Sequence, residues 1–355
     1  MGAIPLQALR VPDRQSGAFP KFDPSPSISP SVLLAAAKKS CMERNYGIAE
    51  SKLTELLRED NSVSEAIALL IKIYVKTNRF AEARELFEDS RAFGYADRSV
   101  YTAFIVSCSC NWNRHEAYNI EGYDILDEAK KAGCISSEAF AAQISYYGTM
   151  AQLFLAESVF EKADGYRDAD VYAAFIYACC KCGDSWKAER ALDRAQNEGA
   201  LNPQMFKNLL KHYSDFQRTD DARRIFDWAD ARNMVDSELC ELMVRCYLYT
   251  PGQNKTGNAR NVFDFAHERG LATHYMCSLM ETGYADSKMP EKAEEIFHAA
   301  QRLGIADEDL ASPVIRSYKS AGKRKHAKEF FSQNLHSLVA NNNMNPISPP
   351  EMAYP

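Results

Sequence analysis

The chain has 355 residues, 46% of them hydrophobic, and can therefore bury a large core. Its formal net charge of −6 excludes the general attraction to phosphate that a strongly basic protein shows. Charged residues interrupt its longest apolar stretches, so we predict no membrane-spanning segment.

The N-terminal stretch, residues 1–30, is rich in proline and serine and lacks the apolar core of a secretory signal. Its basic residues are only Arg10, Arg14 and Lys21, which makes it a poor organelle transit sequence. We predict a disordered leader here. The C-terminal stretch, residues 337–355, ends in NNNMNPISPPEMAYP and is predicted to be a disordered tail.

Residues 31–336 read almost throughout as amphipathic helix, and they contain a repeat. A small residue is followed four positions later by a bulky apolar residue, and in many copies Gly or Asn comes seven positions after that. The spacings between successive small residues are 34, 39, 34, 32, 34, 37, 34 and 34. The small residues are Ala49, Ala83, Gly122, Ala156, Ala188, Ala222, Ala259, Ala293 and Ala327.

This period predicts nine helical hairpins. A single hairpin cannot bury its apolar face, so neighbouring hairpins must stack on one another. The predicted fold class is therefore all-α, a right-handed α-α superhelical solenoid. The Gly or Asn that closes each copy is expected to end the second helix in a left-handed conformation.

The cysteines fit the repeat. Most hairpins carry a tyrosine nine residues before the small residue, as at Tyr74 and Tyr213, and Cys179 holds this place. Cys108 holds it too, 34 residues after Tyr74 and ahead of an insertion. We therefore interpret both as core residues rather than metal ligands. Ten cysteines without paired spacing indicate reduced thiols inside a cell, and we predict no metal and no cofactor.

The segment VYAAFIYACCKCGDSWKAERALDRAQNEGALN, residues 171–202, resembles a pentatricopeptide repeat (PPR) motif, a relative of the tetratricopeptide repeat. SVYTAFI and QMFKNLLKHY are similar, as are the unit-ending residues Asp97, Asp168, Asp236 and Asp307. The resemblance extends over residues 31–336. It implies that each repeat holds one base of single-stranded RNA, whose edge is read by the fifth and the last residue of the repeat.

Carried over to this sequence, the resemblance implies a series of reading pairs. Only Ser278/Asp307 is a standard pair, and three alanines at the fifth place cannot hydrogen-bond to a base. The pairs are Ala68/Asp97, Thr102/Ser136, Ala141/Asp168, Ala173/Asn202, Lys207/Asp236, Glu241/Thr273 and Ser278/Asp307.

The second residue of each repeat, which sandwiches the base in the family, is often acidic here. An acid in that place repels phosphate. Alternatively, the Ser-Glu pairs at 64–65, 137–138 and 237–238 indicate an N-cap followed by a first-turn acid. The residues are Glu65, Ser99, Glu138, Asp170, Gln204, Glu238, Tyr275 and Asp309.

One basic cluster stands out, formed by Lys323, Arg324 and Lys325. It could bind phosphates or an acidic partner, or it could serve as the polar cap of the last hairpin.

We find no catalytic motif and predict a protein that is not an enzyme and has no small-molecule substrate. Two functions remain. The first is binding of single-stranded RNA in its processing, stability or translation. The second is a protein–protein adaptor whose acidic groove holds a protein or peptide. The expected location is a reducing compartment inside a cell, and the resemblance adds a mitochondrion or plastid, although there is no clear transit peptide.

Overall fold

The computed structural model describes residues 29–58, 63–110, 116–251 and 254–342. Within these ranges all regular secondary structure is α-helical, in 18 helices. The helices are α1 (Pro30–Met42), α2 (Tyr46–Arg58), α3 (Val63–Lys76), α4 (Phe80–Ala92), α5 (Arg98–Cys110), α6 (Glu116–Lys131), α7 (Ser137–Thr149), α8 (Leu153–Lys162), α9 (Ala169–Lys181), α10 (Ser185–Asn197), α11 (Pro203–Asp215), α12 (Thr219–Asp230), α13 (Ser237–Tyr249), α14 (Lys255–Glu268), α15 (His274–Asp286), α16 (Pro290–Arg302), α17 (Glu308–Ser320) and α18 (Arg324–Asn342).

Consecutive helices pair into hairpins, from hairpin 1 (α1–α2) to hairpin 9 (α17–α18). In the described residues there are nine, one for each predicted repeat. In hairpins 1, 2 and 4 to 8 the small residue lies on the second helix with its bulky partner one turn later, and both are buried, as at Ala83 and Phe87. The predicted number and register of the hairpins are confirmed.

The hairpins form two compact units, hairpins 1–5 up to Ala200 and hairpins 6–9 from Leu201. Within the first unit from α3 onward, and throughout the second unit, the first helix of each hairpin packs on the first helix of the next. We call this contact a seam. The second helix packs on its own partner and on the following first helix, so the core runs between the two rows of helices.

The bulky residue of the repeat reaches the next hairpin. Phe87 stacks on Phe104 and Phe160 on Phe175, each with ring centroids 4.1 Å apart. In hairpin 9 the same place is held by Phe331, which the template assigns to the core. Its side chain is 52% exposed because no described hairpin follows to cover it.

The cysteine interpretation is confirmed at both core positions. Cys108 and Cys179 are buried, and burial raises the pKa of the Cys179 thiol above its ordinary value. Cys182 ends α9 directly before Gly183, whose φ of 80° turns the chain into α10.

The ends of the helical region differ slightly from the predicted boundaries. The first helix begins at Pro30, and α18 continues to Asn342, beyond residue 336. Residues 1–28 and 343–355, which carry most of the predicted leader and tail, lie outside the described residues. Disorder at the two ends therefore stays a prediction.

In every hairpin except hairpin 3, whose turn is not among the described residues, one residue of the turn lies in the left-handed region five positions before the small residue. In hairpins 2, 4 and 8 that residue carries a side chain, with φ of 61° at Asn78, 54° at Ala151 and 56° at Lys288. Hairpin 9 has Gly322 there, with φ of 75°. A side chain in this conformation costs about 1 kcal/mol, which glycine avoids.

We therefore expect Lys288→Gly to raise the free energy of unfolding of the second unit by about 0.5–1 kcal/mol. Urea denaturation followed by helical circular dichroism measures it. The matched control is Gly322→Ala, which should lower the same quantity by about 1 kcal/mol, since an added Cβ there meets no atom within 4 Å and adds backbone strain alone. Equal urea midpoints for both variants and the natural chain would show that a side chain at this turn position causes no backbone strain.

Candidate functional site

The unit-ending residues cap the first helix of the following hairpin. The Ser136 hydroxyl accepts from the Ala139 amide at 3.2 Å, and Asp236 accepts from Leu239 at 2.9 Å. Asp307 accepts from the Leu310 amide at 3.0 Å. This corrects the sequence-based N-cap assignment at 137–138 and 237–238, because the serines of those pairs are already inside the helix. The oxygen that satisfies the free amides comes one residue earlier.

The fifth residue of one hairpin lies close to the cap of the next. The Thr102 and Ser136 hydroxyls share a hydrogen bond at 2.8 Å, and the Lys207 ammonium contacts the Asp236 carboxylate at 2.8 Å. The Thr273 hydroxyl donates to Glu241. Three pairs named from the sequence are thus brought together, each across a seam. The two members of each pair already form a hydrogen bond or an ion pair with each other.

The Ser278/Asp307 pair is arranged differently. The second carboxylate oxygen of Asp307 lies 2.9 Å from Nε2 of His274, the first residue of α15. His274 is a neighbour that the sequence analysis did not identify. His274 could have been identified from the sequence, because it directly precedes Tyr275 at the start of a first helix. Tyr275 itself is 50% exposed and offers an aromatic face in the sandwiching place.

The acids of the sandwiching place are partly neutralised. Glu65 forms an ion pair with Lys38 at 2.5 Å, and Glu238 forms one with Lys207. Desolvation lowers the pKa of Lys207, but its hydrogen bonds to Asp236 and Glu238 outweigh that effect and leave the pKa above its ordinary value. Lys207 is therefore a firmly charged centre between two carboxylates. Its positive charge is already used within the protein.

The pairs with alanine at the fifth place offer a base fewer polar groups. Ala68, Ala141 and Ala173 present only a methyl group at the fifth place. Their partners Asp97, Asp168 and Asn202 cap helices α5, α9 and α11.

The basic cluster is exposed, and part of its charge is paired. Lys323 donates to Glu291 and lowers the pKa of that carboxyl, while Lys325 lies 3.8 Å from Glu329. Among the described residues Arg324 has no ion-pair partner. Asp307 and the cluster lie at opposite ends of α17, which separates them by about 20 Å, so they cannot bind the same base.

A family model described as PPR repeat matches residues 69–95, 170–199 and 276–305. These three stretches are PPR repeats. The matched stretches lie in hairpins 2, 5 and 8, so the predicted resemblance is confirmed in both units.

Solved structures confirm the fold class. The pentatricopeptide repeat protein PPR10 in complex with an 18-nt psaJ RNA element is 15% identical to this chain, with a TM-score of 0.52. A variant of PPR10 with three cysteine-to-serine substitutions, bound to the same RNA element, gives the same values. In both cases the match covers 88% of this chain and 49% of the other, so the chain spans about half the length of those chains. No curated protein sequence matches it.

None of the described helices combines the length and apolar character that crossing a bilayer requires.

Proposed function

We propose that this PPR protein binds single-stranded RNA along its first helices, without catalysing a reaction, and acts in RNA processing, stability or translation. The observation that carries the proposal is the recurrence of polar pairs at the seams, represented by Thr102/Ser136, Lys207/Asp236 and Ser278/Asp307. RNA recognition modules built from helical repeats present such side chains to one base per repeat. The likeness in fold to PPR10, solved with RNA, supports the proposal.

Recognition should be strongest at hairpins 8 and 9. Tyr275 provides a stacking surface beside Ser278 and Asp307, and stacking on an aromatic side chain is worth about 1–3 kcal/mol per base. The paired state of Lys207 and the alanines at the fifth place make the other seams weaker readers. We therefore expect short-register recognition rather than a code along the whole chain.

The test is binding of the purified protein to a pool of labelled single-stranded RNA, measured by fluorescence anisotropy at two salt concentrations. We expect saturable binding that weakens with salt, and little binding to RNA duplex. Absence of binding to single-stranded RNA at low salt would refute the proposed function.

We expect the triple variant Lys323→Glu, Arg324→Glu and Lys325→Glu to lose RNA binding, which means an affinity at least 10-fold weaker than that of the natural chain. Its helical circular dichroism should be unchanged. Phosphate contacts gain affinity by neutralising backbone charge, and the reversal changes the charge of the cluster by six units. The salt dependence should fall as well.

The control carries the same change of charge on hairpin 8, with Lys288, Lys292 and Arg302 each replaced by Glu. It should bind RNA more tightly than the first variant if the location of the cluster matters. Equal affinities in the two triple variants would remove the role assigned to Lys323, Arg324 and Lys325.

A specific surface favours the adaptor function as the second candidate. Phe154 and Trp186 are 81% and 63% exposed and hold the same place, two residues before the small residue, in hairpins 4 and 5. Arg190 lies over the Trp186 ring at 4.7 Å, and Trp and Arg are enriched at the centres of protein interfaces. A protein partner lost on Phe154→Ala and Trp186→Ala, together with no RNA binding, would favour this function.

We infer a reducing compartment as the location, since the cysteines of the described residues are free thiols. The family resemblance favours a mitochondrion or plastid within that class.

A further inference from the structure

An acid is buried where the repeat calls for an aliphatic residue. The side chain of Glu281 in α15 is 0% exposed, and neither of its carboxyl oxygens has a hydrogen-bond partner among the described residues. The corresponding place in hairpins 2 to 7 is aliphatic and buried each time. These residues are Ile71, Ile105, Ile144, Ile176, Leu210 and Val244.

Glu281 faces the seam between hairpins 8 and 9. It lies one helical turn before Ala285, the counterpart of Gly148 in hairpin 4. Gly148 faces the next first helix, because a Cβ placed on it would lie 2.5 Å from Cα of Ala178 in α9. By the same register Glu281 faces α17. Burial, and secondly the charge of Asp307 at the start of that helix, raise the pKa of Glu281 to about 9.

Several charged groups on the other helices around α15 are paired with residues other than Glu281. On α14 and α16, Arg260 and Glu295 pair with each other at 3.2 Å beside Tyr284, and Asp264 bonds to Arg260. On α13, Glu241 accepts from the Thr273 hydroxyl.

Asp307 is thus the charged group on a neighbouring element that acts on Glu281. The Asp307 carboxylate in turn contacts His274.

We propose that Glu281 makes this seam a proton-controlled latch, closed while the carboxyl group carries its proton and opened when the proton is lost. An ionised carboxylate needs water or donors, and neither oxygen of Glu281 has a hydrogen-bond partner among the described residues. It would also repel Asp307, the cap of α17. Both penalties are relieved when α15 and α17 separate, which moves Asp307 away from Ser278. The latch belongs to the fold and does not depend on what the first helices bind.

Hydrogen exchange of the natural chain tests the latch. Opening is coupled to the loss of one proton, so the opening equilibrium constant rises tenfold per pH unit between the two pKa values. We expect the protection factors of α15 and α17 amides to fall about 100-fold from pH 6 to pH 8, after correction for the intrinsic exchange rate. The amides of α7 and α9, which belong to the first unit, should keep theirs. Constant protection at α15 and α17, or an equal fall in α7 and α9, would overturn the latch.

Two variants and a control make the assignment specific. Glu281→Gln keeps the shape without the titration, and Glu281→Ile restores the residue found at Ile71. Either one should abolish the fall in protection, so the test survives if one of them does not fold. Glu308→Gln removes an exposed acid at the start of α17 and should leave the fall unchanged. A fall that persists in both Glu281 variants would assign the titration to another group and refute the latch.

Discussion

Gly148→Ala is expected to lower the free energy of unfolding of the first unit by about 2 kcal/mol. A Cβ at this position would lie 2.5 Å from Cα and 2.7 Å from Cβ of Ala178. Both atoms are fixed by the backbone of α9, so relief requires α7 and α9 to separate along the seam. Alanine is a better helix former than glycine by about 1 kcal/mol, and the expected loss is what remains after that gain.

Gly283→Ala is the matched control for this prediction. Its Cβ would meet Cδ2 of Leu248 at 2.6 Å, but that atom is the end of a flexible side chain that can rotate away. The loss should stay below about 1 kcal/mol, because the same gain in helix propensity applies. Urea denaturation followed by circular dichroism measures both variants. A Gly148→Ala protein as stable as the natural chain would mean that α7 and α9 do not pack this closely.

The hairpins were predictable because their signal is periodic. Ala83 and Phe87 recur in register with the later copies, and a small residue four positions before a bulky one fits a helix that packs on two neighbours. The same register predicts from the sequence that Cys179 is a core residue, and its side chain is buried in the structure. Period and register depend on residues within one hairpin, which a sequence displays directly.

Contacts across the seams were less predictable. The ion pair of Lys207 with Asp236 joins residues 29 positions apart, and the pairing of Asp307 with His274 joins residues 33 apart. The repeat pattern aligns such residues without stating which atoms meet. The resemblance named Asp236 and Asp307 as readers of bases, whereas their first role in the fold is to cap helices. Glu281 was missed because one acid in an otherwise regular helix does not disturb the periodicity.

Glu281→Ile should raise the free energy of unfolding of the second unit by roughly 3 kcal/mol at pH 7. In the unfolded chain the carboxyl group has its ordinary pKa of 4.5, and in the folded chain the pKa is about 9. At pH 7 folding therefore requires uptake of a proton, which costs about 1.4 kcal/mol for each pH unit above 4.5. Isoleucine removes this cost and fills the place as its counterparts do in the other hairpins.

The pH dependence separates this explanation from a general improvement in packing. Because the folded state has the higher pKa, the stabilisation that the proton provides is complete below pH 4.5 and is lost progressively until about pH 9. The difference in stability between Glu281→Ile and the natural chain should therefore grow by about 1.4 kcal/mol per pH unit across this window. Urea denaturation at pH 5, 6, 7 and 8 measures that growth. A difference that stays constant with pH would show that Glu281 is ionised in the folded chain, and the burial described for it would then be wrong.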